Sequence, residues 1–272
     1  MSLVGIWFSF VKLVHYYIKL AVLKDLKLPE VRVYDSRNSM GEAAANGLSL
    51  AINAVLRKKN TVNIIFAAAP SQNEFLKALY YENIPWQSVN AFHMDEYVDL
   101  EDTAPQRFGN FLKERIFDHF DFRSVHYLNG NVDDLEKECD RYAKLLEDYP
   151  TDIVCMGIGE NGHLAFNDPP VADFNDTRKV KVVDLDLACR QQQVNDGCFT
   201  SLDRVPAKAL TLTIPVLLSA QVISCVVPGS TKAQAVLNTL TQPIDTAFPS
   251  TILREHKGTI VFLDPDSAKY IL

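Results

Sequence analysis

The feature that most constrains this chain is a series of short apolar runs, each ending in small, polar or ionisable residues and most leading into an amphipathic segment. Residues 153–156 (IVCM) and 222–227 (VISCVV) are almost wholly apolar, and 62–67 (VNIIFA) and 260–263 (IVFL) nearly so. Residues 31–34 (VRVY) and 89–93 (VNAFH) also read as strands. A strand without a polar side must be covered on both faces. Strands alternating with helices imply right-handed βαβ units. The expected fold is therefore α/β: one Rossmann-like domain over 1–272, with a mostly parallel sheet and helices on both faces.

The helices between these strands carry their own signals. Leu135, Cys139, Tyr142, Leu146 and Tyr149 recur at helical spacing. Ser39-Met40-Gly41-Glu42 has the form of a capping box, which predicts that the following helix starts there. Helices are also expected through 74–82, around 108–116 and through 232–240. Residues 3–23 are apolar but interrupted by Lys12, His15 and Lys19. Ile6, Phe10, Leu13, Tyr17 and Leu20 fall on one helical stripe, so 1–28 reads as an amphipathic helical segment that packs on the domain or on a second copy of the chain. No small-residue cleavage site follows, and membrane attachment is not expected.

Composition narrows the functional classes. Hydrophobic residues make up 47% and charged residues 22%, which excludes a disordered chain. A formal charge of −7 gives no nucleic-acid footprint, although one anionic ligand can still meet a local cation. The five cysteines (139, 155, 189, 198 and 225) form no CxxC pair and show no zinc spacing with histidine. They read as reduced thiols of a cytoplasmic protein, with no metal expected.

In such sheets ligands bind beyond the carboxyl ends of the strands. Four polar loops are expected on that edge. Ala68, Ala69, Pro70, Ser71 and Gln72 follow the 62–67 strand. Asp95 and Glu96 follow 89–93; neighbours on an extended segment point opposite ways, so one of the two acids should face the cleft. The richest loop, 157–169 (GIGENGHLAFNDP), carries three glycines, Asn161, Asp168 and His163, whose imidazole suits proton transfer near neutral pH. Pro228-Gly229-Ser230-Thr231-Lys232 has the makings of an anion cradle: a hydroxyl, an ammonium and a helix start. It lacks P-loop spacing.

At these residues the chain resembles the glucosamine-6-phosphate deaminase/isomerase family. The resemblance runs in order through HMDEYV (93–98), GIGENGHLAFNDP (157–169), VPAKALTLTIPVLLSAQ (205–221), PGSTKAQAV (228–236) and PSTILREH (249–256). The sister 6-phosphogluconolactonases share the architecture, but their histidine loop resembles GHTASLFP, and they usually carry Arg where Tyr97 stands. The resemblance implies that a 2-amino-2-deoxyhexose 6-phosphate and water become a ketose 6-phosphate and ammonia, with no metal or organic cofactor. It implies that His163 opens the sugar ring, that Asp95 moves a proton from C2 to C1, and that Lys232 holds the phosphate near Ala68, Ser71 and Gln72.

Several positions depart from the family pattern. Its usual Asp before Gly-His is Asn161, which can accept a hydrogen bond from the imidazole but brings no charge. Its usual Glu is Asp168, one methylene shorter, a difference of about 1–1.5 Å in reach. Its Gly-rich phosphate turn reads Ala67-Ala68-Ala69-Pro70-Ser71-Gln72, in which Pro70 removes an N–H donor. Its phosphate-binding Arg is not plainly placed: counting puts Asn195 near the position, and Arg190 is the nearest cation. Two rival readings share the cavity: a sugar lactonase with His163 as base, and a sugar-phosphate sensor that has lost catalysis through Asn161. A transcriptional sensor would need a DNA-binding module, and no helix-turn-helix pattern is present.

Overall fold

The computed structural model describes residues 28–272, so the expected N-terminal amphipathic segment lies outside the described residues except at its last position. Seven parallel strands form the central sheet. In spatial order they are β1 (Glu30–Val33), β10 (Thr259–Leu263), β9 (Val222–Val227), β6 (Ile153–Met156), β2 (Val62–Phe66), β3 (Val89–His93) and β5 (Ser124–His126).

Side chains alternate along these strands between two hydrophobic cores. Ile64, Phe66, Cys155, Val226 and Phe262 join one core with α1 (Arg37–Leu56), α2 (Asn73–Ala78) and α3 (Phe108–Leu112). Ile65, Val154, Met156, Cys225 and Leu263 join the other with α4 (Leu135–Asp148), α6 (Ile214–Leu218) and α7 (Ala233–Thr241). Helices thus cover both faces, as the apolar strands require. Among the described residues no helix is long and apolar enough to cross a membrane.

Two features differ from expectation. Helix α1 starts before the predicted box: Ser36 is the cap, its Oγ accepting from Ser39 N while Ser39 Oγ accepts from Ser36 N, both at 3.1 Å. Ser39 is therefore the second half of the box, its hydroxyl standing where Glu or Gln usually does. The second difference is a separate antiparallel sheet of β4 (Asp95–Tyr97), β8 (Lys208–Leu212) and β7 (Val180–Asp184), which the apolar runs did not reveal. β4 follows β3 after Met94 alone, and Leu212 N donates to Met94 O, so this small sheet grows from the carboxyl edge of the large one.

The strand order places the cleft. From β2 the chain moves outward to β3 and β5. From β6 it moves the other way, to β9 and β10. β2 and β6 are neighbours whose connections diverge, so their outgoing loops leave a crevice between them.

Candidate active site

That crevice opens into a cavity of ≈ 520 Å³, counting the solvent at its mouth. Ala67–Gln72 after β2, Asp95 at the start of β4, Gly157–His163 after β6 and Lys232 after β9 all reach it. Four stretches far apart in sequence therefore meet on one edge. Asp95, His163 and Lys232 are 7%, 9% and 5% exposed, so their charges act in a largely water-excluded space.

The adjacent acids divide as the extended geometry requires. Asp95 lines the cavity, and among the described residues no donor hydrogen-bonds its carboxylate. Burial, then the charge of Glu96, push the Asp95 carboxyl well above the usual carboxylate range. Glu96 points away and holds the scaffold. Its carboxylate accepts from Tyr97 N (2.9 Å), Phe108 N (3.1 Å) and Gly109 N (3.1 Å), with Arg107 at 3.7 Å.

His163 is oriented from behind. Asn161 Oδ1 accepts from both His163 N (3.0 Å) and His163 Nδ1 (2.8 Å), while Asn161 Nδ2 donates to Asp168 Oδ1 (2.8 Å). Asp168 Oδ1 is also 3.0 Å from Nδ1. Both neighbours of Nδ1 can only accept, so Nδ1 carries the proton and Nε2 keeps its lone pair as a base. This bears on the departure at Asn161: the missing charge comes from Asp168, which reaches the ring directly despite its shorter side chain. Burial raises the Asp168 carboxyl, but the hydrogen bond and charge of His163 and the Asn161 amide outweigh it and hold the group below its ordinary value.

The loop backbone makes this possible. Gly162 has φ = +88° and Gly162 N donates to Gly159 O (3.0 Å), closing a tight turn. The loop is then pinned to β8, Phe166 N donating to Thr211 Oγ1 and Asn167 Nδ2 to Leu212 O. Ala165, a cavity residue, sits at φ = +51°, a conformation L-residues adopt only where the surroundings impose it.

At the opposite end, Gly229 turns the chain at φ = +94°, anchored by its N–H donating to Asp264, and presents Lys232. No carboxylate pairs with the Lys232 ammonium among the described residues. Burial lowers its pKa, and the more distant Asp196 and Glu160 oppose this. Beside it, Pro70 opens a short 3₁₀ turn, Pro70–Gln72, in place of a glycine nest. Gln72 Nε2 donates to Ser71 Oγ and Val226 O, both at 3.2 Å, leaving its buried Oε1 without a partner.

Arg190 is not brought to the cavity. Its Nη2 donates to the carbonyls of Leu202 and Val205, both at 2.8 Å, and so ties down the segment after α5 (Leu187–Asn195). The residues of α5 that do line the cavity are Gln192 and Gln193, while Asn195, the counted position, does not. Gln192 Oε1 accepts from Glu160 N (2.8 Å), joining α5 to the histidine loop. Met94, Phe108 and Phe166 form the apolar wall. Sequence reasoning missed these five; the QQQ run in α5 was the one available signal, because neutral side chains facing a cleft leave no periodic mark.

A buried carboxylate, an imidazole with a free lone pair and an unpaired ammonium around one small cavity are the groups that proton transfer on a compact anionic molecule would need. The family model for glucosamine-6-phosphate isomerases/6-phosphogluconolactonase matches residues 35–262, and the chain belongs to that family. It is 36% identical over 190 residues to glucosamine-6-phosphate deaminase 1 of Bacillus subtilis, covering 69% of this chain and 76% of that one. It is 30% identical to glucosamine-6-phosphate deaminase of Bacillus cytotoxicus over 87% of both chains. Among solved structures, a monomeric glucosamine-6-phosphate deaminase superposes with a TM-score of 0.79 at 30% identity, covering 88% of this chain and 99% of the other. The 6-phosphogluconolactonase of Thermotoga maritima gives 0.70 at 17% identity, over 87% and 99%, a likeness of fold.

Proposed function

We propose that this chain converts a 2-amino-2-deoxyhexose 6-phosphate and water to the ketose 6-phosphate and ammonia, with glucosamine 6-phosphate as first substrate and the galacto epimer next. The observation that carries this reading is the shared cavity of Asp95, His163 and Lys232. Lys232, with Ser71 and the Gln72 carboxamide nearby, receives the phosphate. His163 Nε2 takes the proton of the anomeric hydroxyl and the ring opens. Asp95, a stronger base for being buried, removes the C2 proton and returns it at C1. Water then adds at C2 and ammonia departs. Asp168 balances the imidazolium formed on the way. This supports catalysis rather than sensing alone, because the charge absent at Asn161 is supplied from a neighbouring position.

Tyr97 supports the deaminase branch over the lactonase branch. It is fully buried among Phe108, Phe166 and Phe199, so that position brings no cation to the cavity. All five cysteines are free thiols and four are buried, which supports a reducing, cytoplasmic setting.

Incubation with glucosamine 6-phosphate, galactosamine 6-phosphate and 6-phosphogluconolactone, with free ammonium and acid release followed separately, tests the assignment. Ammonium from a hexosamine phosphate is the expected result; acid from the lactone without ammonium overturns it. Lys232→Ala should raise KM by about 10²-fold, since a phosphate left without its desolvated partner costs a few kcal/mol. A flat KM would move the phosphate elsewhere.

A further inference from the structure

Behind the imidazole the structure gathers three metal-binding side chains that are distant in sequence. One donor atom each from His163, Asp168 and Cys189 lies within 4.8 Å of the other two, and all three residues are buried. Asp168 is 1% exposed, and its Oδ2 has no hydrogen-bond partner among the described residues, while Oδ1 serves Asn161 and His163. The Cys189 thiol stands beside that carboxylate and is among the groups that lower its pKa, while the carboxylate raises the thiol's, yet no donor meets Oδ2 at ordinary hydrogen-bond distance and angle. Nitrogen, sulfur and oxygen donors around one point form a set that zinc and other thiophilic divalent cations accept. Tetrahedral zinc with bonds of about 2.0–2.3 Å needs its ligand atoms about 3.2–3.8 Å apart, so the side chains must close in by up to about 1 Å and Nδ1 must exchange its 2.8 Å contact with Asn161 Oδ1 for the metal.

We propose that His163 Nδ1, Asp168 Oδ2 and Cys189 Sγ form an inhibitory binding site for a thiophilic divalent cation, zinc in particular. The effect on catalysis follows from the tautomer. Nδ1 now carries the proton and Nε2 the free lone pair. A cation on Nδ1 needs a lone pair there, so the Nδ1–H bond to Asn161 is given up, the ring proton moves to Nε2, and the thiol proton leaves to solvent as the metal–sulfur bond forms. The imidazole then has nothing to accept the anomeric proton with, and Asp168 is neutralised by the metal. Lys232 and Asp95 are untouched, so the sugar phosphate still binds. The inhibition rests on the role given to His163 above; the binding does not.

The test uses two readouts on the full chain. Titration with Cd²⁺ alone, followed by thiolate-to-cadmium ultraviolet absorption, should show one equivalent bound in the wild type and in Cys198→Ser, and no band in Cys189→Ala. Zn²⁺ should lower kcat for ammonia release without raising KM, and Cys189→Ala should raise the inhibiting concentration about tenfold or more. Cys189→Ser, nearly equal in volume, serves the same purpose if the alanine variant does not fold. Absence of the band in the wild type, its persistence in Cys189→Ala, or inhibition competitive with the sugar phosphate would each overturn the site. A clear cadmium band in a protein that releases no ammonia would instead reject the proposed function and leave the metal site standing.

Discussion

Asp95→Asn is expected to cut kcat by about 10³-fold while leaving sugar-phosphate binding largely intact, the scale expected when a positioned general base is removed. Asp95 sits on the cavity side of β4, buried and without a hydrogen-bond donor among the described residues, so its lone pairs are available to a carbon acid. Asn has the same shape and no basicity. Exchange of the C2 hydrogen with solvent deuterium reads the step directly; exchange at the wild-type rate in the variant would remove Asp95 from the mechanism.

The same carboxylate has a cost that stability should reveal. Its pKa is raised in the fold, so folding favours the protonated form: that contribution is fully present below the unfolded value and is lost as pH rises through the folded one. Above the unfolded value the buried group works against folding, and Asp95→Asn should raise Tm. Activity should run the opposite way, its acid limb falling at a higher pH than an ordinary aspartate would give, because the working base disappears as pH drops through the raised value. A lower Tm in the variant would show that the charge supports the fold.

What was legible in the sequence was whatever repeats or clusters. Apolar strands force a covered sheet, and the sheet forces a crevice where strand order reverses, so the loops after β2, β3, β6 and β9 could be placed together before any coordinate was known. The small sheet escaped because β4 is three buried residues of which two are acids, and β7 and β8 carry Lys181, Asp184 and Lys208, which mask the apolar alternation. Arg190 misled because a cation near a binding segment looks like a ligand; its partners, two carbonyls of a later turn, are set by tertiary structure alone. The Asn161 departure looked damaging because sequence shows a lost charge without the Asp168 oxygen that stands 3.0 Å from the same ring nitrogen. Cys189 gave no metal signal for the same reason: it is far along the chain from His163 and Asp168.

Gly159→Ala should lower kcat by about 10²-fold with KM little changed, because the atoms its new Cβ would meet belong to the His163 ring. A Cβ on Gly159 would lie 2.2–2.3 Å from three atoms of the His163 ring, well inside any van der Waals distance. The imidazole lies against the bare backbone there, and Asn161 and Asp168 hold it from the Nδ1 side. To admit a methyl group, either the ring leaves those partners or the loop gives up the Gly159 N–His163 O hydrogen bond of 3.0 Å. Either way Nε2 shifts by about 1 Å, a displacement that costs on the order of 10² in rate when the reacting groups must be aligned. Gly47→Ala in α1 is the control: its Cβ would meet Phe262 at 3.5 Å, an ordinary contact, and alanine favours the helix by up to about 1 kcal/mol. That variant should keep full activity with equal or higher Tm. Steady-state kinetics on both decide the matter, because a fall confined to Gly159→Ala and to kcat is what a displaced imidazole predicts, whereas wild-type turnover in Gly159→Ala would mean that the position of the His163 ring does not limit the reaction.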